Sequence, residues 1–340
     1  MSEDVKKRLR ILLGDSQLVQ EYEKKYGHTI NISNIRELRQ NQQKTANVGS
    51  GINASDDAPI GEDPVYELLL ICPVCNNKEV KSYNLKAKSQ KIVENKFLVP
   101  RYSGVKKFRK VNYNLLRTTV CDKCFFASPD VKDFTKVNEF TGKHTKSQLS
   151  VNHDFISRLR KSIDERTAFV TAAFPGENTA PFERPRSFDE GIMSLKLSLM
   201  RGEQERDAGF PYSHYKMGSY HLQIAELQRL AGRDNRDSIE SANNEFQEAF
   251  DYSDCPDPEI EIKTLYLLVG TFIKLGQAKK AGGYLKFFDE SIKELNDAMG
   301  GSKNKARYKK QISSVDSWKS RTMNLWEYRD DKEFWKDISQ

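Results

Sequence analysis

The stretches "CPVC" (72–75) and "CDKC" (121–124) decide how this chain is read. They hold four of its five cysteines, and 45 residues (76–120) separate them. A two-residue spacer lets the chain turn tightly enough for both sulfurs to face one ion, and Pro73 stiffens the first turn by fixing φ. Zinc takes four thiolates in a tetrahedron at about 2.3 Å. "VYELLLI" (65–71) and "KVNYNLLRTTV" (110–120) are rich in β-branched and aromatic residues, so a strand is expected to lead into each pair. The pattern is that of a zinc ribbon, with Cys72, Cys75, Cys121 and Cys124 as ligands of one structural zinc ion. Four thiolates close the shell and leave no open position for a catalytic water. Three other readings compete. A thioredoxin-like pair belongs at the start of a helix beside a βαβ pattern, and neither pair clearly lies there. An iron–sulfur centre also takes four thiolates, but nothing else suggests electron transfer. Unligated core cysteines are the third. Cys255, alone in "DYSDCPDP", reads as an ordinary thiol.

The chain has 340 residues, 37% hydrophobic and 30% charged, with a formal charge of +7. That length suggests two or three domains. The N-terminal apolar run, Ile11–Leu13, is far below the about seven residues of a signal-peptide core. No stretch approaches the about 18 apolar residues of a membrane span. The expected location is cytoplasmic, where thiols stay reduced and paired cysteines favour metal or redox chemistry over disulfides.

The reading divides the chain into an N-terminal helical arm (1–40), a flexible linker (41–64), a zinc-ribbon-like domain (65–135) and a helical domain (150–340). In the arm, residues 3–26 carry apolar residues at helical spacing, and 31–39 suit a second short helix. The linker is polar and has almost nothing to bury. The arm either packs on the body or serves as a detachable partner-binding segment.

Between the cysteine pairs lie 12 Lys or Arg against two Glu, a charge of +10, so the rest of the chain is −3 by difference from +7. Tyr83, Phe97, Tyr102, Phe108 and Tyr113 interleave with the bases, and Lys106, Lys107, Arg109 and Lys110 form the densest patch. Basic charge attracts phosphate and exposed aromatics stack on bases, so the insertion 78–117 is a candidate nucleic-acid or polyanion contact. Alternatively it is a solvated face whose aromatics pack on the ribbon, or a protein contact; alternation in "KFRKVNYNLL" suits a sheet with one wet face.

Ser157–Val170 is a candidate helix. "SFDEGIMSLKLSLMRG" (187–202) is a stronger one, with a Ser187–Glu190 capping box and Gly202 as its stop. "FPGENTAPFERPRS" (174–187) reads as a surface connector. From Glu261, Leu265, Leu268, Val269 and Phe272 make one apolar stripe, Gly276 a turn, and Ala281, Leu285 and Phe288 the facing stripe. That is the pattern of a tetratricopeptide repeat, with small residues where two helices meet. Upstream, His221, Ile224, Ala225 and Gly232 match the first helix, and Ala242, Phe246 and Ala249 the second. The units are offset by 44 residues at the glycines and 39 at the alanines, against a usual period of about 34. Helices at 187–202 and 307–328 are expected to cap them. His221 reads as a packing residue, and His214 and Tyr215 as candidate contact residues. Trp318, Trp326 and Trp335 read as anchors of the last helices or an exposed partner face.

There is no Walker loop, Rossmann glycine fingerprint, H-E-x-x-H or nucleophile elbow, and the five histidines lack ligand spacing. No catalytic constellation stands out, so the chain is expected not to be an enzyme.

"LLICPVCNNKEVKSYNLKAKSQK", "VPRYSGVKKFRKVNYNLLRTTVCDKCFFASPDVKDF", "ERPRSFDEGIMSLKLSL" and the repeats after Tyr215 resemble the bacterial family catalogued as domain of unknown function 2225. The resemblance covers roughly residues 65–290. It implies an α+β chain, a small zinc-ribbon-like β domain joined to an all-α tetratricopeptide-like helical repeat domain, with zinc at the four cysteines; it carries over no activity, because the family has no established one. In that family glycine usually follows the second knuckle; here it is Phe125, which puts the tight turn in question. Two functions remain: a non-catalytic adaptor binding another protein through its helical repeats, or a nucleic-acid-binding regulator using the insertion.

Overall fold

A computed structural model of the chain describes residue 24 and residues 61–137, 143–175, 182–252, 257–302 and 304–339. Apart from Lys24 and residues 61–64, the expected arm and linker lie outside these, as does Cys255.

A small β region comes first. Strand β1 (Val65–Ile71) pairs antiparallel with β2 (Val80–Leu85), from Val65↔Leu85 to Leu70↔Val80. Strands β7 (Thr135–Val137) and β8 (His144–Thr145) complete a sheet of order β2-β1-β7-β8. β3 (Gln90–Glu94) with β4 (Pro100–Gly104), and β5 (Thr119–Val120) with β6 (Ala127–Ser128), form two separate hairpins. The expected strand over 110–120 is largely absent. Tyr113–Leu115 is a 3-10 turn, and only Thr119–Val120 is extended. Its alternation serves a different purpose: Asn114 is buried and donates to the Pro100 carbonyl at 2.7 Å, and Tyr113 Oη donates to the Tyr83 carbonyl at 2.7 Å.

Helices follow: α1 (His153–Lys161), α2 (Ile163–Ala173), α3 (Phe188–Asp207), α4 (Ser213–Leu230), α5 (Arg236–Tyr252), α6 (Pro258–Lys274), α7 (Ala278–Tyr284), α8 (Lys286–Gly300) and α9 (Lys305–Glu327). The helix expected over 157–170 is two helices that meet at Ser162. The capping box holds: Ser187 Oγ accepts from Glu190 N at 3.2 Å, and Glu190 Oε2 accepts from Ser187 N at 2.5 Å. Gly202, however, does not stop α3. It lies inside the helix, where a Cβ would come within 2.6 Å of Met217 on α4. The stop is Gly209, at φ +71.

Helices α3, α4 and α6 end in the same way. Phe210 N donates to Glu205 O, Arg233 N to Gln228 O and Gln277 N to Phe272 O, at 2.9, 2.9 and 2.8 Å. The preceding glycines, Gly209, Gly232 and Gly276, all have positive φ and bond three residues back. These are Schellman caps, which need a left-handed residue and favour glycine for lack of a Cβ. Three like caps, on α3, α4 and α6, mark this as a helical repeat array. Ala225, Ala242, Ala249 and Ala281 are buried where helices meet. Trp335 is buried in the same core, with Trp318 and Trp326 packed on it, so the tryptophans anchor the C-terminal end.

The β region and the array share a core. In the β3–β4 turn, Asn95 Oδ1 accepts from Phe97 N and Val99 N at 2.9 and 3.0 Å and holds Leu98 at φ +58. This turn carries Phe97 and Val99 into the cluster of Leu222 and Ala225 on α4, Tyr266 to Phe272 on α6, Leu325 on α9 and Trp335. A Cβ on Gly270 would lie 3.6 Å from Phe97, in ordinary van der Waals contact, so the ring packs directly on α6.

Candidate metal centre

Each cysteine pair occupies the turn of a β-hairpin, and the two turns have one backbone design. In the first, Asn76 N donates to Cys72 O at 3.0 Å and Cys72 N to Asn77 O at 2.8 Å. In the second, Phe125 N donates to Cys121 O and Cys121 N to Phe126 O, both at 2.9 Å. The residue after each second cysteine is left-handed, Asn76 at φ +61 and Phe125 at φ +54. Phenylalanine in the expected glycine position therefore still takes the left-handed conformation, with the same two knuckle bonds as the first turn. Its ring packs edge-on against Phe182, with centroids 6.2 Å apart.

The two knuckles face each other and bring all four predicted cysteines together. Their Sγ atoms lie within 4.8 Å of one another. Cys72 and Cys124 are 3.6 Å apart, Cys75 and Cys121 3.5 Å, and none is in a disulfide. Cys72, Cys121 and Cys124 are buried, and Cys75 is partly exposed. Such a cluster can coordinate a metal ion. Crowding also splits the proton affinities of the thiols. Hydrogen bonds from Cys124 and Cys72 pull the Cys121 thiol to about 2. The Cys72 thiol, bonded to Cys121 and Cys124, is pushed up. Together these four crowded thiols favour a state with shared negative charge, which a cation would stabilise.

The surroundings suit such a charge. Asn77 Nδ2 lies 3.7 Å from Cys121 Sγ and donates to Asp122 Oδ1 at 2.6 Å, tying the first knuckle to the second. Arg160 Nε donates to the Val74 carbonyl of the first knuckle, and Arg166 Nε to the Cys124 carbonyl of the second, both at 2.9 Å. Arg166 is buried and also bonds Leu159 O and Ser162 Oγ at the α1–α2 junction. Leu70, Val74, Val80, Phe126, Phe134, Phe155, Ile156 and Leu159 enclose the cluster, so it joins the β region to α1. Sequence reading missed both arginines, because nothing in "SRLRKSIDER" separates them from ordinary helix-surface bases.

The basic insertion is arranged differently from a stacking platform. Tyr83, Phe97 and Tyr102 are buried, and Tyr113 and Phe108 are half-buried. Much of its charge is neutralised within the chain. Arg101 pairs with Glu226 at 2.9 Å and Lys96 with Asp337 at 2.8 Å. Of the four patch residues, Lys107 pairs with Glu62 at 2.7 Å and Arg109 with Asp63 at 3.3 Å. Lys106 and Lys110 make no ion pair among the described residues. His214 Nδ1 lies 2.9 Å from Glu245 Oε2, and Tyr215 packs against Phe246, so both contact neighbours in the array. Burial, helped by Lys196, pushes His221 down to about 4.

A second charged cluster, also missed, lies beside Phe126. Buried Asp133 accepts from Arg201 Nη1 at 2.5 Å and Gln148 Nε2 at 2.6 Å. Arg201 also bonds Glu205 at 2.5 Å, and Glu205 meets Lys216 at 3.0 Å, which links the β region to α3 and α4. Among the described residues no helix is long and apolar enough to cross a membrane.

No curated protein and no solved structure matches the chain. Residues 65–313 match the family described as "Uncharacterized protein conserved in bacteria (DUF2225)". The match takes in both knuckles, the insertion and the helices through the first part of α9, and the chain belongs to that family.

Proposed function

We propose that this chain is a non-catalytic scaffold in which Cys72, Cys75, Cys121 and Cys124 hold one structural zinc ion and the tetratricopeptide-like helices dock a second protein. The observation that carries the metal assignment is the closed, buried set of four sulfurs. Zinc–sulfur distances of about 2.3 Å imply a tetrahedron edge of about 3.8 Å, and the Cys75–Cys121 and Cys72–Cys124 separations are 3.5 and 3.6 Å. Bound there, zinc would supply cross-linking of the two knuckles; the chain's own residues position the sulfurs and enclose them. Four thiolate donors weaken a zinc ion as a Lewis acid, which favours a structural role over hydrolysis.

The packed array supports the docking role. Its face shared by α4, α6 and α9 already holds the chain's own Phe97 and Val99. A protein partner therefore meets other faces, where Leu230 and Tyr252 are exposed. The test is a proximity cross-linking comparison of the native chain with a Leu230→Glu, Tyr252→Glu double variant. A partner recovered with the native chain and lost with the double variant supports the reading. A partner bound equally by both, or release of a small-molecule product by the purified chain, overturns it. The nucleic-acid alternative predicts salt-dependent oligonucleotide binding that disappears when Lys106, Lys107, Arg109 and Lys110 are reversed in charge. Burial of Tyr83, Phe97 and Tyr102 counts against it.

A further inference from the structure

Strand β3 has one ladder partner, β4, and among the described residues no strand pairs with its other edge. In an antiparallel pair, residues that exchange backbone hydrogen bonds alternate with residues that do not. The bonds Asn95 N→Val99 O (3.0 Å) and Val105 N→Ser89 O (3.2 Å) fix the phase. Ser89, Lys91, Val93 and Asn95 thus turn their backbone groups toward β4. Pro100, which has no N–H, sits opposite Glu94 in a non-bonded position, as this phase requires. Gln90, Ile92 and Glu94 therefore direct their N–H and C=O groups outward.

The same edge exposes two adjacent aliphatic side chains, Ile92 at 56% and Val93 at 53%. Folded proteins usually cover, shorten or charge such an edge. Here the charge is all of one sign at its start. Lys88 and Lys91 flank the first residues of β3, and Lys106 follows the Val105–Ser89 closing bond. None of the three forms an ion pair among the described residues. A second copy of this chain would set one insertion of charge +10 against another. An acidic strand would not.

We propose that the free edge of β3 accepts an extended, acidic segment of a partner protein as an added strand. Its backbone bonds Gln90, Ile92 and Glu94, its apolar side chains cover Ile92 on one face, and on the other face its carboxylates meet Lys91 and the neighbouring Lys88 and Lys106. Strand addition of this kind draws affinity from main-chain bonds and specificity from the flanking side chains. The site lies outside the helical array and does not depend on the array binding anything.

The test uses the full-length, isotope-labelled chain and three synthetic nine-residue peptides. The first alternates valine or threonine with glutamate. The second carries lysine for glutamate. The third keeps the charge of the first but has prolines at alternate positions, so it cannot pair as a strand. The first should shift the amide resonances of Gln90, Ile92 and Glu94 and bind at least tenfold more tightly than the other two. Ile92→Pro should weaken it at least tenfold. That substitution deletes an outward N–H and leaves the β4 ladder intact. If it nevertheless disturbs the β4 resonances, Lys91→Glu is read in its place with the same expected loss. Equal binding of the proline peptide would reduce the site to charge attraction and overturn the proposal. So would no binding at millimolar peptide, or self-association of the chain through Ile92. Attachment of Ile92 and Val93 to anionic lipid vesicles in preference to the peptide would overturn it too.

Discussion

Phe97→Ala is the sharpest perturbation of the junction between the β region and the helical array. Phe97 is a buried ring at the tip of a surface hairpin, inserted among Leu222, Tyr266, Leu268, Leu325 and Trp335. Gly270 opposite it has no side chain to fill the gap. Truncating a buried phenylalanine removes its transfer free energy and leaves a cavity, together about 3–5 kcal/mol. Beyond the ring, the hairpin is tied to the array by the smaller Val99 in the same core and by two ion pairs, Arg101 to Glu226 and Lys96 to Asp337. Lys96 and Asp337 are both partly exposed, and such a pair contributes about 1 kcal/mol or less; Glu226 is buried beneath a partly exposed Arg101. Neither pair, nor Val99, fills the space the ring leaves. The expected result is a fall in unfolding free energy of about 3 kcal/mol or more by urea titration. It should come with a tryptophan emission shift from Trp335 and faster amide exchange over 90–104. A change below about 1 kcal/mol, with exchange in the hairpin unaltered, would refute the claim that this ring joins the two regions.

Three other outcomes follow from the geometry. Asn76→Ala should lower stability by about 1 kcal/mol, because alanine resists the φ of +61 that the first knuckle needs; Asn76→Gly should not, and thermal unfolding of the two variants decides. Arg201→Met leaves buried Asp133 and Glu205 without their shared cation; the expected loss is about 3–5 kcal/mol, read by urea unfolding, and smaller when Asp133→Asn is added. His221 titrates near 4 in the fold against an ordinary 6.5. The unfolded chain therefore binds the extra proton first, so this residue's contribution is complete above pH 6.5 and is lost as pH falls toward 4. His221→Gln should flatten that part of the stability–pH curve, and an unchanged slope would remove His221 as its source.

The clustering of the four cysteines was legible because cysteine pairs are rare, compact signals whose partner can be inferred from chemistry alone. The repeat helices were legible for a related reason: Gly232 and Gly276 mark like caps, and buried Ala242 and Ala281 mark like contacts. Failures arose where a tertiary contact overrode a local signal. Gly202 looks like a helix end, but its lack of a Cβ serves the approach of Met217, and α3 continues to Asp207. "KVNYNLLRTTV" has strand composition, yet Asn114 and Tyr113 are spent on side-chain bonds to Pro100 and Tyr83, which bend the chain into a 3-10 turn. Interleaved bases and aromatics in the insertion left two readings open, a polyanion contact and a solvated face with its aromatics packed inward. Sequence cannot show that Phe97 and Tyr102 turn inward, or that Glu226 and Asp337, more than 120 residues away, meet Arg101 and Lys96. Arg160 and Arg166 carry no local signature, since their targets are backbone carbonyls.

The central claim is that the four cysteines hold one structural zinc ion. Elemental mass spectrometry tests it most directly, on protein purified without added metal or a metal-binding tag, alongside Cys72→Ser and Cys121→Ser. The account predicts one zinc per native chain. It predicts loss of that zinc in both variants, with faster amide exchange across β1, β2, the second knuckle and α1. Iron with sulfide, or a metal-free native chain that keeps its β region folded, would contradict it.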